Sequence, residues 1–398
     1  MKWTQTEGYR TFSCMLAMLI GVGLVRYAYS PLIPSMLGQH WITAGQAGYL
    51  GTVNFVGNLA GALLCAPLVR RFSATGVCRV SLVIGLLSVT ASAWDLGFFW
   101  LILTRLLAGL AAAGAMILGP AIAVAGAPSE SRGRILGLVF AGAGVGVIGL
   151  SLLLPVVLEG GPTSGWLFTG ALVAVFLAIG WVGLREAPAV SAEQAPDAAI
   201  EPDRLHLWIL AAAYSLVAIG IVPHSIYLSA YVHQALHLPT SFSAMVFAVY
   251  GVGVLVGAPL LDGVLAKRLG TWESLVLSSA LGLGAVAVVL LTENIIWVVA
   301  SGAALGAAQM GVASITSHRV IELAGPVAHT RWWSLMTIGF NVGQAGGALA
   351  MGAFLSTHWG YPAGFWMAGV ALALATTLAF FVRRSDPSPF AGAHHKIS

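Results

Sequence analysis

The sequence predicts an all-α integral membrane protein of twelve transmembrane helices in two pseudo-symmetric six-helix bundles. Three observations predict it. Of 398 residues, 58% are hydrophobic and 8% charged, against about 25% charged in soluble domains. Apolar runs long enough to cross a bilayer recur along the whole chain. Lysine and arginine gather on one side of those runs.

The first six runs cover 11–36, 47–69, 77–94, 98–125, 136–158 and 165–184. Six more cover 206–232, 241–266, 272–291, 294–317, 331–355 and 361–382. The expected plan is an N-terminal bundle over 1–184, a cytoplasmic linker over 185–205, a C-terminal bundle over 206–382 and a cytoplasmic tail over 383–398. The linker reads as polar because Arg185, Glu186, Glu193, Asp197, Glu201, Asp203 and Arg204 crowd into it with prolines. The polar start, Met1 to Arg10, leads straight into a full-length span, so no cleavable signal peptide is expected.

Charge placement tests this parse. With both ends cytoplasmic, sixteen of the eighteen Lys and Arg residues fall on inner segments. The other two, Arg26 and Arg105, lie inside spans, and the outer loops hold none. That asymmetry orients the protein in its membrane, with both termini cytoplasmic. The net charge of +4 is thus a topology signal and no sign of nucleic-acid binding. Cys14, Cys65 and Cys78 lie in or beside inner-side helices, so no disulfide is expected.

The chain also repeats. The turn after the second run reads Ala66-Pro-Leu-Val-Arg70-Arg71-Phe-Ser73, and the turn after the eighth reads Gly263-Val-Leu-Ala-Lys267-Arg268-Leu-Gly270. Their offset of 197 residues is close to half the chain. Two parallel repeats of six helices are a plan of secondary transporters.

At these residues the sequence resembles the major facilitator superfamily. The Gly263–Gly270 turn is similar to that family's loop motif Gly-x-Leu-Ala-Asp-Arg-x-Gly, with Lys267 where the family usually has aspartate and Arg70 in the first copy. In the family that aspartate helps latch the cytoplasmic face. The resemblance implies gating roles for Arg70, Arg71, Lys267 and Arg268, with Asp262 or Glu322 as the substitute acid. The fourth run carries Arg105-Leu-Leu-Ala-Gly109-Leu-Ala-Ala-Ala-Gly114, similar to the superfamily's fourth-helix motif. A finer resemblance is to the bacterial YbfB/YjiJ-like branch. It rests on Gly23-Leu-Val-Arg26-Tyr-Ala-Tyr-Ser-Pro-Leu-Ile-Pro34, Ala47-Gly-Tyr-Leu-Gly-Thr-Val-Asn54 and Gly343-Gln344. It implies a transporter of the bacterial inner membrane and leaves the substrate open, while the superfamily resemblance implies a functional monomer.

Arg26 and Arg105 are the leading site candidates. At about 1.5 Å per residue, they lie roughly 15 Å and 10 Å below the outer ends of their helices. An arginine at such depth costs about 2.5–3.5 kcal/mol on insertion scales. None of the fourteen carboxylates sits mid-span to neutralise it. On one reading an anionic substrate supplies the partner, gripped by a guanidinium. On the other, each arginine bonds carbonyls and water. His224, in the seventh run, is the candidate proton carrier, against a neutral histidine bonding between helices. Asn54 with Asn58, and Asn341 with Gln344, share helix faces that either line a cavity or join helices. Tyr27, Tyr29, Tyr227 and Tyr231 are candidates to frame a pocket, with Tyr29 and Tyr231 equally suited as interfacial anchors. Gly144-Val-Gly146-Val-Ile-Gly149 matches a dinucleotide fingerprint, but it lies inside an apolar run and reads as close helix packing.

The sequence therefore predicts a secondary active transporter working by alternating access on a small organic anion such as a carboxylate. Its partners are that substrate, the lipid bilayer and, as candidate coupling ions, protons. The alternative is a proton-driven exporter of drugs or metabolites. No catalytic residues, metal ligands or cofactor site are assigned. The chain lacks His-Glu-x-x-His, Gly-x-Ser-x-Gly and a Walker loop, so an enzyme and a nucleotide-driven pump are disfavoured.

Overall fold

The computed structural model of the chain describes residues 7–125, 127, 129–185 and 201–382. The elements are helical, with no strand among the described residues. The expected linker lies mostly, and the expected tail wholly, outside the described residues. Eleven described stretches are long and apolar enough to cross a membrane. One of them, Ser131–Gly180, has 50 residues. That is about 75 Å of helix, more than two crossings of a ~30 Å hydrocarbon core. It breaks at the short turn Leu158–Gly160, after which Gly161 takes φ 76°. The break yields span 5 (Ser129–Val157) and span 6 (Gly161–Gly180).

The remaining spans are 1 (Glu7–Gly38), 2 (Ala44–Phe72), 3 (Ala74–Ala91) and 4 (Phe98–Val124) in the first part of the chain. After the linker come 7 (Arg204–Gln234), 8 (Thr240–Leu269), 9 (Thr271–Leu291), 10 (Ile295–Gly325), 11 (Arg331–Leu355) and 12 (Gly360–Phe381). The largest departure from the sequence expectation is span 10, which continues past residue 317 to Gly325, where φ 73° ends it. This carries Arg319 into the helix, 1% exposed. The apolar run stops short of it because a charged residue interrupts it. The helix continues because Glu322 and Thr271 accept hydrogen bonds from the guanidinium.

The repeat holds in three dimensions. Ser73 and Gly270, 197 positions apart, end their turns with matching backbones: φ 101°, ψ 149° and φ 106°, ψ 159°. Spans 2 and 4 approach through small residues, so that a Cβ on Gly109 would lie 2.0 Å from the Asn54 carbonyl oxygen. Spans 8 and 10 do the same, and a Cβ on Gly306 would lie 2.4 Å from the Tyr250 carbonyl oxygen. Without a hydrophobic drive between helices in lipid, such close backbone contact supplies the attraction. Arginines close helix ends on the terminus side. Arg10 Nη2 donates to Ala125 O at 2.9 Å, and Arg79 Nη2 donates to Trp181 O at 2.9 Å. Both favour a cation at a helix C-terminus.

Three of the seams between the first six spans and the last six are close contacts involving backbone. Span 2 touches span 11 where Gly48 faces Gly352. Span 5 touches span 8, with Gly144 against Leu255 and Gly251 against Val147. Gly144 and Gly146 of the fingerprint-like string thus serve close packing: a Cβ on Gly146 would sit 2.9 Å from the Cα of Gly23. Span 1 touches span 7 where Ser30 Oγ donates to Ile226 O at 2.7 Å. The first and third seams join the ends of these spans that lie away from the termini.

Candidate functional site

Span 1 is discontinuous, and the discontinuity presents Arg26. After α-helix to Met18, residues Leu19–Arg26 widen into π-helix. Tyr27 N–H accordingly bonds Val22 O, five residues back, at 3.2 Å. An α-helix resumes at Tyr29. Pro31 has no N–H for the Tyr27 carbonyl, and Ser30 N–H takes that carbonyl instead at 3.3 Å. Span 7 breaks correspondingly at Ile221, just before Pro223. Paired interruptions in related helices mark binding sites in transporters built from repeats, and π-segments recur at functional positions.

Arg26 Nη2 donates to Gln344 Oε1 of span 11 at 2.7 Å. Its guanidinium carbon lies 5.1 Å from the Phe55 ring centroid and 5.7 Å from that of Tyr27. Aromatic faces attract such a cation, by about 0.5–1 kcal/mol at exposed sites and about 2 kcal/mol when desolvated. No carboxylate pairs with Arg26 among the described residues. Around it converge Tyr27, Tyr29 and Ser30 of span 1, Gly51, Asn54 and Phe55 of span 2, Ser225 and Ile226 of span 7, and Gln344. The partly open space between them is about 20 Å³, room for about one water. Behind Tyr27, Gln309 Nε2 donates to the phenol oxygen at 3.0 Å, and Tyr250 donates to Gln309 Oε1. This network fixes the Tyr27 ring against spans 8 and 10.

Of the residues expected at the site, Arg26, Tyr27, Asn54 and Gln344 are brought together. Arg105, His224, Tyr227 and Asn341 are not among the residues lining this space. Arg105 is 1% exposed. It donates to Ser92 Oγ at 2.9 Å and lies 4.4 Å from the Trp166 centroid and 5.8 Å from that of Tyr29. It therefore packs behind the Tyr29 wall and joins spans 1, 3, 4 and 6. His224 is fully buried, its Nε2 3.0 Å from Ser301 Oγ and its ring edge-on to Phe365. Tyr227 is buried against span 2, its hydroxyl near Gly48. Asn341 Nδ2 donates to Thr337 O on its own helix at 2.9 Å. Asn54 has both expected roles: it lines the space, and its Nδ2 donates to Arg105 O at 3.1 Å. Tyr29 is no interfacial anchor, since it is buried and donates to Ala47 O at 2.9 Å. Tyr231 is likewise buried, packed against Tyr361 and Phe365.

At the expected gating turns, Arg70 Nε donates to Ala66 O at 3.4 Å, and Arg71 lies over the Phe72 ring. Lys267 and Arg268 are exposed. Asp262 Oδ1 lies 2.9 Å from His318 Nδ1, and its Oδ2 accepts from Ser314. Asp262 thus ties span 8 to span 10, whereas Glu322 binds Arg319.

Phe55, Gln309, Tyr250, Ser30 and Ser225 were not singled out from the sequence. Gln309 carried a usable signal, a lone amide inside an apolar run. Phe55 carried none, because an aromatic residue in an apolar run reads as ordinary packing.

Residues 18–380 match the family described as the uncharacterised MFS-type transporter YbfB. A chloramphenicol resistance protein of Streptomyces lividans is 28% identical over 387 residues, covering 92% of this chain and 94% of that protein. The inner membrane transport protein YdhP of Escherichia coli O157:H7 is 27% identical, covering 94% and 96%. Among solved structures, a variant of the nucleoside transporter NupG superposes with TM-score 0.75 at 14% identity, over 94% of this chain and 98% of that one. A bacterial homolog of the human lysosomal transporter Spinster, inward-facing and occupied, gives 0.67 at 15% identity over 94% of each chain. These two likenesses concern the fold.

Proposed function

The chain belongs to the family of YbfB-type MFS transporters, and on that premise we propose that it carries a small organic anion, such as a carboxylate, across the inner membrane. The single observation behind this reading is Arg26. It is a cation in the middle of a membrane helix, at a helix break; among the described residues it donates to one amide oxygen and pairs with no carboxylate. A half-buried cation at membrane depth without a counter-charge is costly, and a bound anion supplies one with charge-assisted hydrogen bonds. The two six-span groups act as the moving bodies, with both termini cytoplasmic and the span 2–span 11 and span 1–span 7 seams closing the outer face. Rocking about the Arg26 site then exposes it to each side in turn. Proton coupling remains part of this reading, with the carrier group unassigned.

A second reading, export of an amphipathic drug-like compound, draws support from the chloramphenicol resistance protein among the relatives. The aromatic walls of Tyr27, Tyr29 and Phe55 suit such a compound as well.

The test is uptake of a panel of labelled carboxylates, amines and neutral solutes into proteoliposomes containing wild type or Arg26→Ala. The anion reading expects at least one carboxylate to accumulate with wild type only. Transport of a carboxylate by well-folded Arg26→Ala at the wild-type rate would overturn it. Transport confined to neutral or cationic compounds would favour export.

A further inference from the structure

Arg26 is held by an amide oxygen at the place where the oxygen of an anion would bind. Building on the anion reading above, we infer that Gln344 is a stand-in for the substrate. Its Oε1 occupies the position that a carboxylate oxygen takes on the guanidinium, and substrate binds by displacing it. The 2.7 Å bond from Arg26 Nη2 to Gln344 Oε1 is as short as a guanidinium–carboxylate bond. The other end of the amide is unsatisfied: Gln344 is 1% exposed, yet its Nε2 has no hydrogen-bond partner among the described residues. A buried donor left unpaired carries its desolvation cost in full. A neutral amide is also a weaker partner for a cation than a carboxylate. The stand-in is therefore good enough to hold Arg26 and poor enough to be displaced.

Displacement has a mechanical consequence. Arg26 and Gln344 are 318 positions apart and link span 1 to span 11. The space beside them, about 20 Å³, does not admit an organic anion while the link stands. Breaking it releases span 11 close to the Gly48–Gly352 seam. Gln344 thereby sets both the affinity of the site and whether anion binding loosens the closed face.

The experiment uses the full-length purified protein at neutral pH. Benzoate is the probe, a planar carboxylate with an aromatic body suited to Phe55 and Tyr27, and benzamide is the neutral control. Affinities come from thermal-shift titrations of wild type, Arg26→Ala, Gln344→Ala and Gln344→Glu. Loss of the competing amide should make Gln344→Ala bind benzoate about tenfold more tightly, with a lower midpoint when no ligand is added. Gln344→Glu, which supplies a permanent carboxylate, should raise that midpoint and lose the benzoate shift. Should Gln344→Ala not fold, Gln344→Met removes the amide at similar length. Equal or weaker benzoate binding by the amide-free variant, with wild type shifted and Arg26→Ala unshifted, overturns the stand-in and leaves the anion site standing. A wild type that benzoate does not shift overturns both.

Discussion

Gly48 of span 2 and Gly352 of span 11 meet so closely that a Cβ added to Gly48 would lie 2.3 Å from the Cα of Gly352. The neighbouring Gly45 is similarly pressed against Ser356. This contact joins the two six-span groups at the ends of spans 2 and 11 that lie away from the termini. Any larger side chain at residue 48 must push backbone away, because the two nearest atoms it meets are the Cα and N of Gly352.

Gly48→Leu should therefore open that seam. A cysteine introduced as Ser225→Cys, on the wall beside Arg26, reports it. Ser225 is 3% exposed, and the native cysteines are buried. With Gly48 intact, a membrane-impermeant maleimide should leave residue 225 unlabelled. With Gly48→Leu, labelling should rise several-fold, and equal labelling of both would count against the seam as the closure.

The paired turns predict opposite signs at equivalent positions. Ser73 holds φ 101° with a side chain, whereas Gly270 holds φ 106° without one. That region costs about 1–3 kcal/mol for a residue other than glycine. Ser73→Gly forfeits the cap that Ser73 Oγ gives Gly76 N–H at 3.2 Å, a loss of a few tenths of a kcal/mol. Ser73→Gly should thus stabilise by about 1 kcal/mol and Gly270→Ser destabilise by about 1–3 kcal/mol. Thermal unfolding in one detergent compares them directly.

Span 2 and span 4 supply a ranking. Asn54→Ala removes one buried hydrogen bond, to Arg105 O. Such bonds between membrane helices average about 0.6 kcal/mol. Gly109→Ala drives a methyl to 2.0 Å from the carbonyl oxygen of Asn54. Overpacking of that kind costs about 1–3 kcal/mol. Gly109→Ala should lower the unfolding midpoint more than Asn54→Ala does.

His224 gives a functional contrast with Arg26. It is buried between Ser301 and Phe365 and does not line the space. His224→Gln keeps a hydrogen-bonding group for Ser301. It should leave the pH dependence of transport unchanged within about twofold, in contrast to the loss expected for Arg26→Ala. A His224→Gln protein that transports but has lost its pH response would restore His224 as the proton carrier.

Much of this architecture was legible because membrane insertion writes itself into local sequence. Run lengths, the one-sided arginines and the 197-residue repeat each follow from the thickness and polarity of a bilayer. Arg26 was legible for the same reason, since a charge in an apolar run is expensive enough to demand an explanation. Span 10 was cut short because Arg319 looks like a loop residue until Glu322 and Thr271 are seen beside it.

The sequence by itself determined the helices, their repeat and the residues too polar to face lipid, since these depend on the free energy of placing each residue in hydrocarbon. Only the tertiary structure decided which of those polar residues share a site. Arg26 and Arg105 look alike in sequence, yet one meets Gln344 beside a partly open space and the other lies over Trp166 behind a wall. That difference rests on helix rotation and on glycine contacts between distant spans. Local hydropathy carries neither, because a buried polar residue satisfied by a neighbouring helix and one turned toward a ligand cost the same to read from a single strand of sequence.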